Sequence, residues 1–370
     1  MSERMRVGIV GLGAVAHVHV DAYRQLDSLT IVSVADTNSA QLGWAQQALG
    51  VPGYATLSEM LRAQRMDLVC VLAPPASHEE LVSICARAKV HVLCEKPMSL
   101  TVESCERMIA VCNTNGVRLC YGSSYRYLPA LTSARGMILS GDIGDVLLLR
   151  EYAVGGTTTS KRGTLGFAHY PKGGPGGSGM GLCDHGIHLI DVFPWLIDSV
   201  TTVVWGRGNI SGELQRPEYA HLEYANGAIG QLLYEDGTFT TTLPHEGAFG
   251  WGGGWNVGGG AESAPAGAWN ADPGCINVHG SKGSLRIYHY ANTLFHRNES
   301  GVRQIRVPDR PMPANFAMQL EAFMQAIRSG APTPVPGEVG LDAVRTLLGV
   351  YAGKGVPIPT NASPYGPAPN

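Results

Sequence analysis

The chain has 370 residues, 44% of them hydrophobic and 15% charged, with a net charge of -3. That length exceeds one typical domain, and the apolar fraction can fill a sizeable core. The near-neutral charge carries no basic run, which argues against a nucleic-acid partner, and no apolar run approaches the roughly 18 residues of a membrane span.

The opening "MSERMRVGIVG" passes directly into a strand pattern, so no signal peptide is expected and the cytoplasm is the expected location. "RVGIV", "TIVSVAD", "DLVCVLAPP", "VHVLCEKP" and "VRLCYG" read as strands. They alternate with the helical stretches "AVAHVHVDAYRQL", "SAQLGWAQQALG", "LSEMLRAQ", "HEELVSICARAK" and "TVESCERMIAVCNTNG". Such alternation predicts a parallel sheet built from βαβ units. After the helix-like "PALTSARGMILSG" the pattern changes to "DVLLLREYAV", "TVVWGRGN", "YAHLEYANGAIGQLLYEDG" and "SLRIYHY", strands separated by turns, with an Asn-Gly hairpin signal inside the third. A mostly antiparallel sheet is expected there, closed by helices near 314–329 and 338–352. The expected division is 1–123, 124–355 with its last helices near the first domain, and a Pro-rich tail at 356–370. The eight cysteines form no C-x-x-C pair and are read as buried, inert thiols.

Gly11-Leu12-Gly13-Ala14-Val15-Ala16 follows a strand and opens a helix. In G-x-G-x-x-A the first glycine permits the tight turn and the second lets the backbone approach a pyrophosphate. The alanine keeps helix and strand close, and the helix N-terminus receives the negative charge. Asp36, with Thr37 beside it, ends the second strand about 20 residues beyond the loop, where a carboxylate binds a ribose 2′-hydroxyl and repels a 2′-phosphate. NAD is therefore expected rather than NADP.

Glu95-Lys96-Pro97 ends the fifth strand, on the edge where such sheets bind ligands. A lysine there would stabilise a developing alkoxide; as a surface residue it would merely pair with Glu95. "GLCDHGIHLIDVFPWL" packs Asp184, His185, His188 and Asp191 into an apolar run. On a helix Asp184 and His188 share a face, and so do His188 and Asp191, whereas His185 points elsewhere. A metal site built on Asp184 and His188 would need a third ligand such as His169, which no recognisable spacing supplies, so no metal is expected. A solvated helix face is the bland alternative. Together with the glycine loop and Lys96, proton handling is the favoured reading: His188 accepts a hydroxyl proton and Asp184 orients substrate or imidazole.

Taken in order, G-x-G-x-x-A, "APPASH", "EKP" and D-x-G-x-H-x-x-D resemble the Gfo/Idh/MocA family, named for glucose-fructose oxidoreductase and inositol dehydrogenase. "SYRYLPAL…MILSGDIGDV" and "FAMQLEAFMQAIRSG" also look like family segments. The resemblance implies an α/β fold: an N-terminal Rossmann doubly wound parallel sheet followed by a C-terminal α/β domain with a large, mostly antiparallel, open-faced sheet. It implies hydride transfer between NAD and a sugar, anhydrosugar or cyclitol. It also implies catalytic roles for Lys96, Asp184 and His188, and a nicotinamide-side position for Ala73, Pro74, Pro75 and His78. Tyr125 and Arg126 match a substrate-contacting segment, and His169 is expected to contact substrate as well. A homo-dimer or homo-tetramer built through the open sheet face is expected. Two other functions fit the same motifs: an NAD-retaining glycosidase acting through transient oxidation, and a non-catalytic cofactor-binding regulator. Residues 237–275 are rich in Gly and Trp, and Trp251 or Trp255 is expected either to border the substrate pocket or to anchor the loop.

Overall fold

A computed structural model describes residues 4–156, 181–208, 218–239, 275–310, 313–353 and 355–358. The expected positions of His169, Trp251 and Trp255 lie outside the described residues. The chain divides into two compact units, one formed by 1–124 with 313–344 and the other by 125–312 with 345–370.

The first unit holds strands β1 (Met5–Val10), β2 (Leu29–Ala35), β3 (Gly53–Tyr54), β4 (Leu68–Val71), β5 (His91–Glu95) and β6 (Leu119–Gly122). Their order in the sheet is β3-β2-β1-β4-β5-β6, and every pairing is parallel. This is the doubly wound order with a topological switch point between β1 and β4. Val7, Ile9, Val69, Val92 and Leu93 are wholly buried, as β-branched and apolar runs must be when helices cover both sheet faces. The connecting helices are α1 (Ala14–Tyr23), α2 (Ser39–Leu49), α3 (Leu57–Ala63), α4 (His78–Arg87) and α5 (Val102–Asn115). Side chains fix where several of them begin. Asn38 accepts a bond from the Ala40 amide at the start of α2, Thr56 from the Glu59 amide at α3, and Thr101 from the Ser104 amide at α5.

The second unit opens with α6 (Pro129–Leu139) and adds β7 (Val146–Gly156), α7 (Ile187–Leu196), β8 (Thr201–Arg207), β9 (Glu218–Tyr224) and β10 (Ile229–Phe239). Strands β11 (Cys275–Gly280), β12 (Ser284–Tyr288), β13 (Thr293–Asn298), β14 (Gly301–Ile305) and β15 (Val356–Pro357) complete it. The nine strands run β14-β13-β12-β11-β7-β10-β9-β8-β15, antiparallel throughout except for β7 against β10. The Asn226-Gly227 signal marks the β9–β10 turn, with Gly227 at φ +86°. α6 and α7 pack together, and α6 also lies on β12 and β13. α7 is almost entirely buried and apolar apart from His188 and Asp191; Pro194, which cannot donate to the helix ladder, stands near its end.

Two helices follow: α8 (Ala314–Ser329), which packs on α1, and α9 (Gly337–Ala352). α8 belongs to the first unit, whereas α9 contributes its first half to that unit and its second half to the other. All eight cysteines are buried, and burial pushes the Cys70 and Cys112 thiols up to about 12. The expected inert role follows from that environment. Among the described residues no helix is long and apolar enough to cross a membrane.

Candidate active site

The glycine loop joins β1 to α1 in the arrangement expected of a dinucleotide site. Gly11 sits at φ +85°, and a Cβ there would lie 2.4 Å from the Ala73 amide nitrogen, so both conformation and space demand glycine. A Cβ on Gly13 would meet no atom of the described residues within 4 Å. The glycine at 13 therefore answers to no packing need among the described residues, and its open side at the helix N-terminus suits a close-lying pyrophosphate. Leu12 lies within the loop, Ala14 and Val15 open α1, and Ala16 is wholly buried against the sheet. Asp36 follows β2, with exposed Thr37 next to it. Its Oδ2 accepts from the Leu12 amide at 2.6 Å and its Oδ1 from the Asn38 amide at 2.7 Å. The carboxylate thus ties the glycine loop to the end of β2, and each oxygen keeps a second lone pair for a ribose hydroxyl. These residues fit NAD.

The turn after β5 is braced from below. Buried Glu95 bonds His19 Nε2 at 3.0 Å through one oxygen and accepts from the Lys96 amide at 2.8 Å through the other. His19 Nδ1 in turn meets the Tyr23 hydroxyl at 2.6 Å. Glu95 therefore holds the backbone of the turn, and Lys96 follows it half-buried, ahead of a cis Lys96–Pro97 bond. His78 is also wholly buried. Its Nε2 lies 2.7 Å from the Ala73 carbonyl and its Nδ1 3.1 Å from the Met98 carbonyl, and burial holds its pKa below the usual imidazole value. This imidazole spans the gap between the Ala73-Pro74-Pro75 loop and the chain just past Lys96-Pro97. His19 carries no motif signal; its spacing from Tyr23 on one helix face is the trace it leaves in the sequence.

In the second unit the chain enters α7 through a π-helical turn, Gly181–Gly186, a deviation frequent at functional sites. Glu218 on β9 accepts from the Leu182 amide at 2.7 Å, and a Cβ on Gly181 would lie 1.3 Å from the same carboxylate oxygen. A Cβ on Gly186 would press on Leu182 and Tyr234 at 2.9 Å, so the glycine of D-x-G-x-H lets the turn lie close against β10. Asp184, His185, His188 and Asp191 are all buried, which excludes a solvated helix face within this unit. His188 is stacked on Tyr125, ring centroids 3.8 Å apart and planes 4° from parallel. The Tyr125 hydroxyl bonds that of Tyr290, and the Tyr290 hydroxyl lies 3.4 Å from His185 Nδ1.

Arg126 is engaged within the protein: its Nε donates to Asp191 Oδ2 at 3.2 Å and its Nη2 to Oδ1, a buried two-pronged pair. His185 faces Glu151, its Nε2 3.0 Å from Oε2, and the Tyr234 hydroxyl donates to the same oxygen at 2.7 Å. Glu151, Tyr234, His289 and Tyr290 carry no motif that marks them as site residues. The detectable signal is Glu151 itself, a carboxylate at the buried parity of the alternating run "LLLREY", two residues from buried Leu149.

Family models match both halves: the oxidoreductase family's NAD-binding Rossmann fold over residues 5–123, and its C-terminal alpha/beta domain over 135–353. The myo-inositol 2-dehydrogenase of Thermotoga maritima is 25% identical over 355 residues, 95% of each chain. The D-apiose dehydrogenase of Paraburkholderia graminis is 32% identical over 143 residues, 38% of each chain. Among solved structures, an oxidoreductase from Agrobacterium radiobacter in complex with NAD+, L-tartaric acid and magnesium superposes with a TM-score of 0.76. That match is 18% identical and covers 96% of this chain and 99% of the other, a likeness of fold. With both halves matched and a glycine loop shaped for a dinucleotide, this chain belongs to the Gfo/Idh/MocA oxidoreductase family and is an NAD-dependent dehydrogenase.

Proposed function

We propose that the protein oxidises a secondary alcohol of a sugar, anhydrosugar or cyclitol, with Lys96, Asp184 and His188 as its working residues. The observation that carries the roles is the burial of Asp184 and His188 in the turn leading into α7, with the His188 ring stacked on Tyr125. Bound NAD supplies the hydride acceptor. The imidazole of His188, whose unperturbed pKa lies near neutrality, takes the hydroxyl proton as the carbon–hydrogen bond breaks. Asp184 orients that imidazole or the substrate. The Lys96 ammonium stabilises the alkoxide. Tyr125 holds the His188 ring plane, and Arg126 acts through Asp191 to keep α7 in place. The substrate class follows the inositol and apiose dehydrogenases among the relatives.

His188→Ala and Lys96→Ala should each lower kcat by about 100-fold or more, the scale of an acid–base or oxyanion-stabilising group, with NAD affinity nearly unchanged. NADH formation across a panel of aldoses and inositols measures this. A near-normal kcat with raised KM would reduce the residue to substrate positioning.

Self-association through the second sheet's outer face is part of the same reading. Register lines up Tyr152, Leu233 and Tyr219 across β7, β10 and β9, with Trp205 two pairs further along. Tyr152, Tyr219 and Trp205 are exposed large apolar residues, and such a patch favours burial against a second copy. Light scattering at micromolar chain should give a dimeric or tetrameric mass; a monomeric mass counts against it.

A further inference from the structure

Glu151 is a fully buried carboxylate in the middle of β7, and no Lys or Arg lies within ion-pair distance of it among the described residues. A buried carboxylate is costly unless a cation compensates it. Two imidazoles face it from different elements. His185, in the π-helical turn, places Nε2 3.0 Å from Oε2. His289, one residue past β12, places Nδ1 3.8 Å from Oε1. Oε1 accepts no hydrogen bond from any described residue. One ligand-capable atom from each of the three side chains lies within 4.8 Å of the other two, and all three residues are buried.

These separations have a chemical reading. Around a tetrahedral zinc ion with bonds of about 2.0–2.1 Å, neighbouring ligand atoms stand roughly 3.3–3.4 Å apart. The 3.0 Å separation to Oε2 and the 3.8 Å separation to Oε1 lie on either side of that edge, so each imidazole faces its own oxygen of a carboxylate that can bind an ion through both. The outer contacts are also of the right kind. The Tyr290 hydroxyl, 3.4 Å from His185 Nδ1, can accept the proton of that nitrogen and so leave the Nε2 lone pair directed at Glu151. The Tyr234 hydroxyl donates to Oε2 and orients the carboxylate. Two imidazole nitrogens and one carboxylate suit a zinc-class transition metal, whereas magnesium and calcium favour all-oxygen sets.

We propose that Glu151, His185 and His289 hold one divalent transition-metal ion of the zinc class. The ion would fasten the π-helical turn, and with it the segment carrying Asp184 and His188, to β7 and to the end of β12. It takes no part in the hydride step, and the proposal stands independently of the alcohol oxidation described above. The alternative compensation for Glu151 is a protonated His185, an ion pair that binds no metal.

The full chain, purified without a polyhistidine tag, is stripped with chelator, reloaded with zinc sulfate and passed through gel filtration before metal analysis. About one zinc per chain is expected, falling roughly tenfold or more in Glu151→Gln and in His289→Gln. Zinc should raise the melting temperature of the wild type and leave that of the variants unchanged. Loading the wild type with cobalt(II) should produce the strong visible absorption of a tetrahedral site. This measurement decides the matter even where a variant fails to fold. A wild-type chain that retains no zinc and gives no such spectrum overturns the proposal. Folded variants that retain as much zinc as the wild type overturn it equally.

Discussion

Asp191→Ala removes the carboxylate from the buried pair with Arg126. The two side chains meet through Nε–Oδ2 at 3.2 Å and through Nη2–Oδ1, with Arg126 7% and Asp191 2% exposed. At that depth solvent cannot replace the lost partner, and the guanidinium is left in a low-dielectric interior. Breaking such a pair costs about 3–5 kcal/mol. For a folding unit of about 200 residues, 1 kcal/mol moves the midpoint by roughly 2–4 °C, so a fall of about 6–20 °C is expected in the transition of the second unit. Thermal unfolding followed by circular dichroism and tryptophan fluorescence reads it, with urea titration giving the free energy, since Trp195 lies beside the Arg126 guanidinium, 5.7 Å from ring centroid to Cζ. The double variant Arg126→Met with Asp191→Leu should recover most of the loss, because an apolar pair of similar volume carries no charge to desolvate. A single-variant loss below about 1 kcal/mol would show that water reaches the pair and would refute this account.

Asp36→Ala should weaken NAD binding and narrow the preference over NADP, because it removes a ribose acceptor and a repulsive charge; it also loosens the loop through the Leu12 amide. Asp36→Asn, which keeps an acceptor for that amide, separates the two effects by dissociation constants for both cofactors, and an unchanged cofactor ratio in both variants would take Asp36 out of the ribose site. Acid should destabilise the fold. Burial lowers the folded pKa of His78, and it does the same for His91 and His279, so the unfolded chain binds more protons there. The stabilisation from neutral imidazoles is present above the ordinary value near 6.5 and is lost as pH falls below it, by at most about 1.4 kcal/mol per pH unit for each group. Urea midpoints between pH 8 and pH 5 check the sign, and His78→Gln should flatten part of the slope.

Much of the fold is legible because its causes are local. Alternating apolar strands and amphipathic helices specify βαβ units within windows of about 30 residues, and the glycine loop needs only its own turn and the Asp36 carboxylate. Asn226-Gly227 sets its hairpin for the same reason, and the helices expected at 314–329 and near 338–352 are found at Ala314–Ser329 and Gly337–Ala352. β13 and β14 carry weaker patterns; the exposed run "GVRQI" of β14 has no buried face to impose alternation.

Side-chain partners were a different matter. A helical wheel groups His188 with Asp191 and turns His185 aside, yet the partner of Asp191 is Arg126, 65 residues earlier, and His185 faces Glu151, 34 residues earlier. His289 comes to the same carboxylate from beyond β12. Each contact depends on strand register and on the π-helical turn, which rotates its residues relative to an ordinary α-helix. A single residue's shift in register would send Glu151 to the outer face and turn Arg150 and Tyr152 inward. Residue types and their spacing along the chain therefore specified the two folding patterns, the dinucleotide loop and the candidate proton-handling motif. Which buried charge meets which partner was decided only when sheet register brought distant segments within a few ångströms, because Coulombic and hydrogen-bonding terms act at that range and leave no periodic trace in the sequence.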